Sequence, residues 1–253
     1  MNNAPWEAIY KRYKIDKHNF PKSPFIITAE QIKQATAHFK TTNEREVRCL
    51  CKQDTREDRP KVFVDRGLFL LPTRNGTYAI VKGEGYMNIP PIVETAQVYT
   101  SKLNFALDTS KVGNSEMQHL DFAYASSIIR TFLGDDTIVL TIRGRKYTPK
   151  FNFKVGNQII EVDGVQTEVD AGYEGKEQVV LIEAKNSKTD NVIIRQLFYP
   201  FRQWSHHTKK KVVILFFEKR ASDYLFWEFQ FKDINDYNSI FLIKSKKFEI
   251  VNK

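Results

Sequence analysis

The stretch Val179-Val-Leu-Ile-Glu-Ala-Lys185 constrains the chain more than any other. Val179–Ala184 is an apolar run of the kind found in a strand covered on both faces, so the chain must supply layers above and below it. The flanking sequence provides them. Ser115-Glu-Met-Gln118 opens a helix predicted through about Phe132, with Leu120, Ala123, Tyr124, Ser127 and Ile128 at helical spacing. Strands are predicted at Thr137–Arg143, Lys150–Val155, Gln158–Val162 and Gln166–Asp170, with a turn marked by Gly172 and Gly175. A helix is predicted at about Ile193–Trp204, then strands Lys211–Phe217, Tyr224–Phe231 and Ser239–Ile243. The expected fold class is α/β or α+β, a mixed sheet flanked by helices.

Two strands in this order bring chemistry together. Side chains alternate along a strand, so Glu168 and Asp170 are expected on one face, and Glu183 and Lys185 on one face of the next strand. A turn between the strands lets the four polar groups meet at one end of a hairpin. Asp170 and Glu183 can hold Mg²⁺ through oxygen and leave positions for water and a phosphate oxygen. Lys185 can stand beside an attacking water or a developing negative charge. Glu-x-Lys alone is a weak signal, since the same residues also make structural ion pairs at sheet edges.

The preceding sequence, to about Pro90–Pro91, reads differently. Thr28-Ala-Glu-Gln31 has the form of a capping box opening a helix to about Phe39. Thr42 or Asn43 caps a second predicted helix through about Gln53. Two strands are expected: Lys61–Val64 leads through Asp65-Arg-Gly67 to Leu68–Leu71, and after the turn Pro72-Thr-Arg-Asn-Gly76 the strand Thr77–Val81 returns. Two helices and a hairpin outline a winged helix-turn-helix, in which the second helix enters the major groove. The expected division is residues 1–90 as a small DNA-binding domain and 91–253 as a second domain. Removing the first is expected to weaken DNA binding far more than it disturbs the second.

Charge supports a polyanionic partner. The chain has 39 Lys and Arg against 30 Asp and Glu, a formal charge of +9. Residues 1–90 carry 16 of those cations against 10 acids, most of the surplus. Lys52, Arg56, Arg59 and Arg74 fall near the expected groove-facing surface. Arg143-Gly-Arg145-Lys146-Tyr147 reads as a cationic turn suited to phosphate or guanine contacts. The two cysteines, Cys49 and Cys51, are too few for a zinc site and read as partly buried thiols. His206–His207 offers no convincing ligand set. With no apolar run of membrane length and no signal-peptide pattern, a cytoplasmic location is expected and no membrane association.

Asp170, the apolar strand ending Glu183-Ala-Lys185, Asn186 and the following helix with Gln196-Leu-Phe-Tyr199 together resemble the PD-(D/E)XK nuclease superfamily. In full, IEAKNSKTDNVIIRQLFYPFRQW resembles a group of type II restriction endonucleases. The resemblance spans roughly residues 115–217. It implies a restriction-endonuclease-like core, Asp170 and Glu183 as Mg²⁺ ligands with Mn²⁺ able to substitute, and Lys185 as the catalytic lysine. It also implies double-stranded DNA as substrate, a homodimer, and a cognate DNA methyltransferase. Val169 stands where the nominal motif has proline. Glu168, Glu116 and Gln196 are candidates for an added ligand or a supporting role, and Tyr199 is expected in the core. A structure-specific repair or recombination nuclease and a non-catalytic winged-helix DNA binder are the alternatives.

Overall fold

The computed structural model describes residues 2–251. The first section holds α1 (Asn3–Tyr13), β1 (Phe25–Thr28), α2 (Ala29–Thr36), α3 (Thr42–Arg45), α4 (Val47–Leu50), α5 (Lys61–Val64), β2 (Leu68–Arg74) and β3 (Thr77–Lys82). The capping box forms as expected: Gln31 N donates to the Thr28 hydroxyl, and Thr28 N donates back to the Gln31 amide oxygen. β1, β3 and β2 make an antiparallel sheet in that order, and Gly76 takes the left-handed conformation (φ 70°) that the β2–β3 turn requires.

Two expectations here are corrected. The single helix from Thr42 to Gln53 is instead two one-turn helices, because Glu46 is extended (φ −77°, ψ 125°). Thr42, Asn43, Val47, Cys49 and Cys51 hold a helix weakly, and burial of Val47 and Leu50 decides the local path. Lys61–Val64 is a helical turn rather than a strand. Phe63 is buried with its ring 4.7 Å from that of Trp6, and a segment of four residues carries no period that could favour strand over helix.

The second section follows with β4 (Tyr86–Asn88), β5 (Gln97–Thr100), α6 (Glu116–Ala125), α7 (Ile128–Leu133), β6 (Val139–Tyr147), β7 (Phe151–Val155), β8 (Gln158–Val162), β9 (Gln166–Glu174), β10 (Gln178–Lys185), β11 (Asn191–Ile193), α8 (Arg195–His207), β12 (Lys211–Arg220), β13 (Asp223–Phe231) and β14 (Ile240–Val251). A seven-stranded sheet has the order β5-β14-β13-β12-β10-β9-β6. β10 runs parallel to β12 and β14 parallel to β5; the other neighbours are antiparallel.

β10 is covered on both faces. Val179 and Leu181 pack with Leu197, Phe198 and Tyr199 of α8. Val180, Ile182 and Ala184 pack with Leu120, Ala123, Ile128 and Phe132 of α6 and α7. The helix expected through Phe132 is interrupted at Ser126–Ser127, where Ser127 is left-handed (φ 69°). Gly172 lies inside β9, not in a turn. A Cβ there would come within 2.6 Å of Ile142, so glycine serves a close approach between β9 and β6. The cationic segment Arg143–Tyr147 is part of β6 rather than a turn.

The two sections share a core. Phe69, Leu71, Ala79 and Val81 belong to the same buried cluster as Phe153, Val179, Phe198, Trp227 and Tyr237. Polar ties reinforce it: Tyr199 OH donates to Pro72 O, Gln158 Nε2 to Phe20 O, and Ile193 N to Asp54 O. β4 pairs with β11, so the chain before Pro90–Pro91 already joins the second section. The expectation of a first section that can be removed with little disturbance is therefore corrected. Among the described residues, no helix is long and apolar enough to cross a membrane.

Candidate functional site

β9 and β10 form a regular antiparallel ladder from Val179↔Glu174 to Ile182↔Ala171. There the backbone pairing stops. Val169 packs on the α8 side and Ala171 on the α6–α7 side, so the two-residue alternation slips at Asp170. The β6–β9 register shifts at the same place, with Ile142↔Gly172 followed by Gly144↔Val169. A bulge re-aims the side chain it carries. The strict alternation expected to put Glu168 and Asp170 on one face is thus interrupted.

Asp170 turns its carboxylate toward β10, where Oδ2 accepts the backbone N–H of Ala184 at 2.7 Å. Two residues apart on β10, Glu183 and Lys185 meet, with Nζ 2.6 Å from Oε1. Gln196, one residue into α8, donates Nε2 to the same Oε1 at 2.8 Å. Its amide oxygen is buried without a partner. Gln196, a candidate from sequence for a supporting role, has Glu183 as its contact.

These groups open onto a cleft of about 370 Å³ that Glu116 and Glu168 also line, together with Lys52, Asp54 and Arg195. Glu183 is only 9% exposed. Burial, opposed by the Lys185 charge, pushes its carboxyl up to about 7, and the neighbouring Asp170 adds to the rise. Burial also raises Asp170, against the pull of the Ala184 N–H and Lys185. For Lys185, burial works to lower the ammonium pKa, but the Glu183 carboxylate outweighs it and the group stays charged, with Glu116 contributing. Two acids, Glu183 buried and Asp170 half-buried, held above their ordinary range beside a cation are poised to accept positive charge. Among the described residues, no group of three or more His, Cys, Asp or Glu side chains is placed to hold an ion unaided.

The cations nominated from sequence separate into two kinds. Arg56 is held within the fold, donating to Asn88 Oδ1 and Tyr86 O with Glu84 3.5 Å away. Arg59 donates to Arg56 O and Leu68 O, and its guanidinium lies 5.1 Å from the centre of the Tyr86 ring. Arg143 ties Asp121 of α6 to the backbone carbonyl of Asp170. These three brace the protein. Lys52, Arg74, Arg145 and Lys146 remain at the surface: Lys52 near Asp54 (3.9 Å), Arg74 on Glu161 (3.0 Å), and Arg145 on Glu168 (3.3 Å). Tyr199 is buried in the core as expected. Cys49 and Cys51 are free thiols, and burial pushes Cys51 up to about 12.

Sequence reasoning missed Asp54, Asp121 and Arg195. Arg195 adjoins Gln196 at the start of α8, which was a usable signal. Asp121 meets Arg143 and Asp54 meets Arg195 across long stretches of chain, so neither pairing shows in local sequence.

Neither the curated proteins nor the solved structures contain a match to this chain. Residues 3–80 match a family described as a domain of unknown function, DUF6996. Residues 81–249, two thirds of the chain, match another, and by that match the protein belongs to the family described as domain of unknown function DUF6997.

Proposed function

We propose that the chain is a Mg²⁺-dependent DNA endonuclease, and specifically a type II restriction enzyme. The observation that carries this reading is the meeting of Asp170, Glu183 and Lys185 where β9 and β10 part, within one polar cleft. The surrounding order also favours it: an antiparallel β6–β9–β10 sheet, preceded by α6 and followed by α8 and a strand parallel to β10. This is the arrangement expected of a PD-(D/E)XK core.

The donor set fits a hard divalent ion. Asp170 and Glu183 offer carboxylate oxygens, and their pKa values are raised chiefly by burial, a cost that a bound cation would offset. Water and substrate oxygens would complete the shell. Bound there, Mg²⁺ would polarise a phosphate and favour hydroxide over water. Lys185 supplies a fixed positive charge beside the reacting phosphate. Gln196 holds Glu183 in place.

In the first section, α1, β1, α2, α4 and the β2–β3 hairpin, with sheet order β1-β3-β2, support a winged-helix reading in which this part grips DNA. Cutting both strands calls for two such sites, hence a homodimer; a restriction enzyme would be paired with a methyltransferase that protects host DNA. Incubating supercoiled plasmid with protein and Mg²⁺ tests the reading. Discrete fragments support a restriction enzyme, nicks or a smear support a structure-directed nuclease, and intact plasmid overturns both.

A further inference from the structure

A second groove of about 390 Å³ adjoins the cleft and shares Lys52, Asp54, Gln166 and Arg195 with it. We propose that this groove is the track for the sugar–phosphate backbone of a nucleic-acid strand running out of the cleft, gripped by Arg48, Lys52, Arg74 and Arg195. The proposal rests on the nuclease reading only for the direction of travel; the chemistry of the groove stands separately.

Four cations line the groove against one carboxylate, Asp54. They come from four separate places: α4, the segment after it, the end of β2 and the start of α8. Arg48 is exposed and has no acidic partner among the described residues. Arg74 is 59% exposed and holds Glu161, whose other oxygen is engaged by Lys150 at 3.1 Å. Asp54 stands between Lys52 at 3.9 Å and Arg195 at 3.8 Å, both long contacts. Its backbone carbonyl is fixed by the Ile193 N–H. Asp54 therefore keeps two cations at the junction of cleft and groove without saturating them, and a phosphate can take over their free donors.

The floor adds no compensating charge. Pro72, Leu70 and Tyr78 are neutral, and the Cys51 thiol stays protonated. An open, net-positive groove continuous with a second cleft suits an extended polyanion better than a small compact one. The neutral floor suits sugars and bases, while the guanidinium groups suit phosphates.

The test is fluorescence anisotropy of a labelled random-sequence duplex, with Ca²⁺ replacing Mg²⁺, across a salt series. Arg48→Ala and Arg195→Ala should each weaken binding to all sequences alike and each reduce the slope of log K against log salt by about 1. Lys11→Ala and Lys17→Ala, neither of which lines the groove, should change neither. Arg48 is exposed and unpaired, so its variant keeps the fold; urea midpoints check the Arg195 variant. Unchanged affinity and slope in Arg48→Ala, or failure of the native protein to bind duplex, would overturn the track. Cleavage in Mg²⁺ is read separately. A protein that binds through the groove but never cuts disposes of the nuclease reading and leaves the track standing. A protein that cuts while Arg48→Ala and Arg195→Ala keep the native slope does the reverse.

Discussion

Asp170 Oδ2 accepts the Ala184 N–H at 2.7 Å, so a side chain takes the place that a backbone carbonyl holds elsewhere along the β9–β10 ladder. The acid is thereby fixed by the strand it faces, and the parting of the strands leaves room beside it. Glu183 and Lys185 flank the residue that donates the bond.

The nuclease reading proposed above assigns Asp170, Glu183 and Lys185 separate tasks in one site. Asp170→Ala, Glu183→Ala and Lys185→Ala should each reduce plasmid cleavage on the order of 100-fold or more. Asp170→Ala and Glu183→Ala should still bind duplex in Ca²⁺. Near-native cleavage by the Glu183 variant would remove that residue from the site.

Cleavage should require Mg²⁺ or Mn²⁺ and stop in EDTA, and Zn²⁺ alone should not restore it, since the proposed ligands are hard oxygens. Metal titration of EDTA-treated protein measures this directly. Full activity in the chelator would rule out the assignment of Asp170 and Glu183 as ligands.

Glu183 gives the metal-free protein a pH dependence of definite sign. Its folded-state pKa of about 7 exceeds the ordinary 4.5, so between those values the folded protein holds a proton that the unfolded chain has lost. Stability should therefore fall as pH rises through that window and level off above it, by at most about 1.4 kcal/mol per pH unit for one group. Asp170, raised for the same reason, acts in the same direction. Urea midpoints in EDTA should show the decline, and Glu183→Gln should flatten most of it. A midpoint that climbs across the window would contradict the burial argument.

The shared core predicts one cooperative unfolding transition. Phe69 stacks with Tyr237 at 5.9 Å between ring centres, and Phe153 stacks on the same tyrosine at 5.7 Å. Phe69→Ala should cost roughly 3–5 kcal/mol and lower the stability of both sections together. Far-ultraviolet circular dichroism and tryptophan fluorescence should report coincident transitions, since Trp6 and Trp227 lie in different sections. Two separated transitions would show that the sections fold independently.

Arg143 braces the site without facing the reaction. It joins Asp121 to the backbone of Asp170. Arg143→Ala should slow cleavage while leaving the salt slope of DNA binding unchanged, and Arg143→Lys should restore part of the rate. A reduced slope would instead make Arg143 a phosphate contact.

What could be read from sequence was set by how local the cause was. The two-sided burial of β10 is written in Val179–Ala184, and the capping box in Thr28 and Gln31, because each depends on neighbours along the chain. The pairing of Glu183 with Lys185 follows from strand alternation on β10, and the antiparallel turn into β10 brings Asp170 to the same end. The slip at Asp170 was not legible, because it arises from pairing with Ile142 and Gly144 on β6. Arg56 and Arg143 read as free cations because their acceptors, Asn88 and the Asp170 carbonyl, lie 32 and 27 residues away. Lys61–Val64 was too short for its pattern to outweigh the packing of Phe63.

The point where the two family matches meet, between residues 80 and 81, falls inside β3. Ile80 turns into the core of the first section and Val81 into the shared one. Exchange of either half at that point would separate adjacent residues of a single strand and leave each half facing a stranger's surface. The two matched regions are therefore one folding unit in this chain, and neither can be traded at that boundary without cutting a strand whose neighbouring residues serve two different cores.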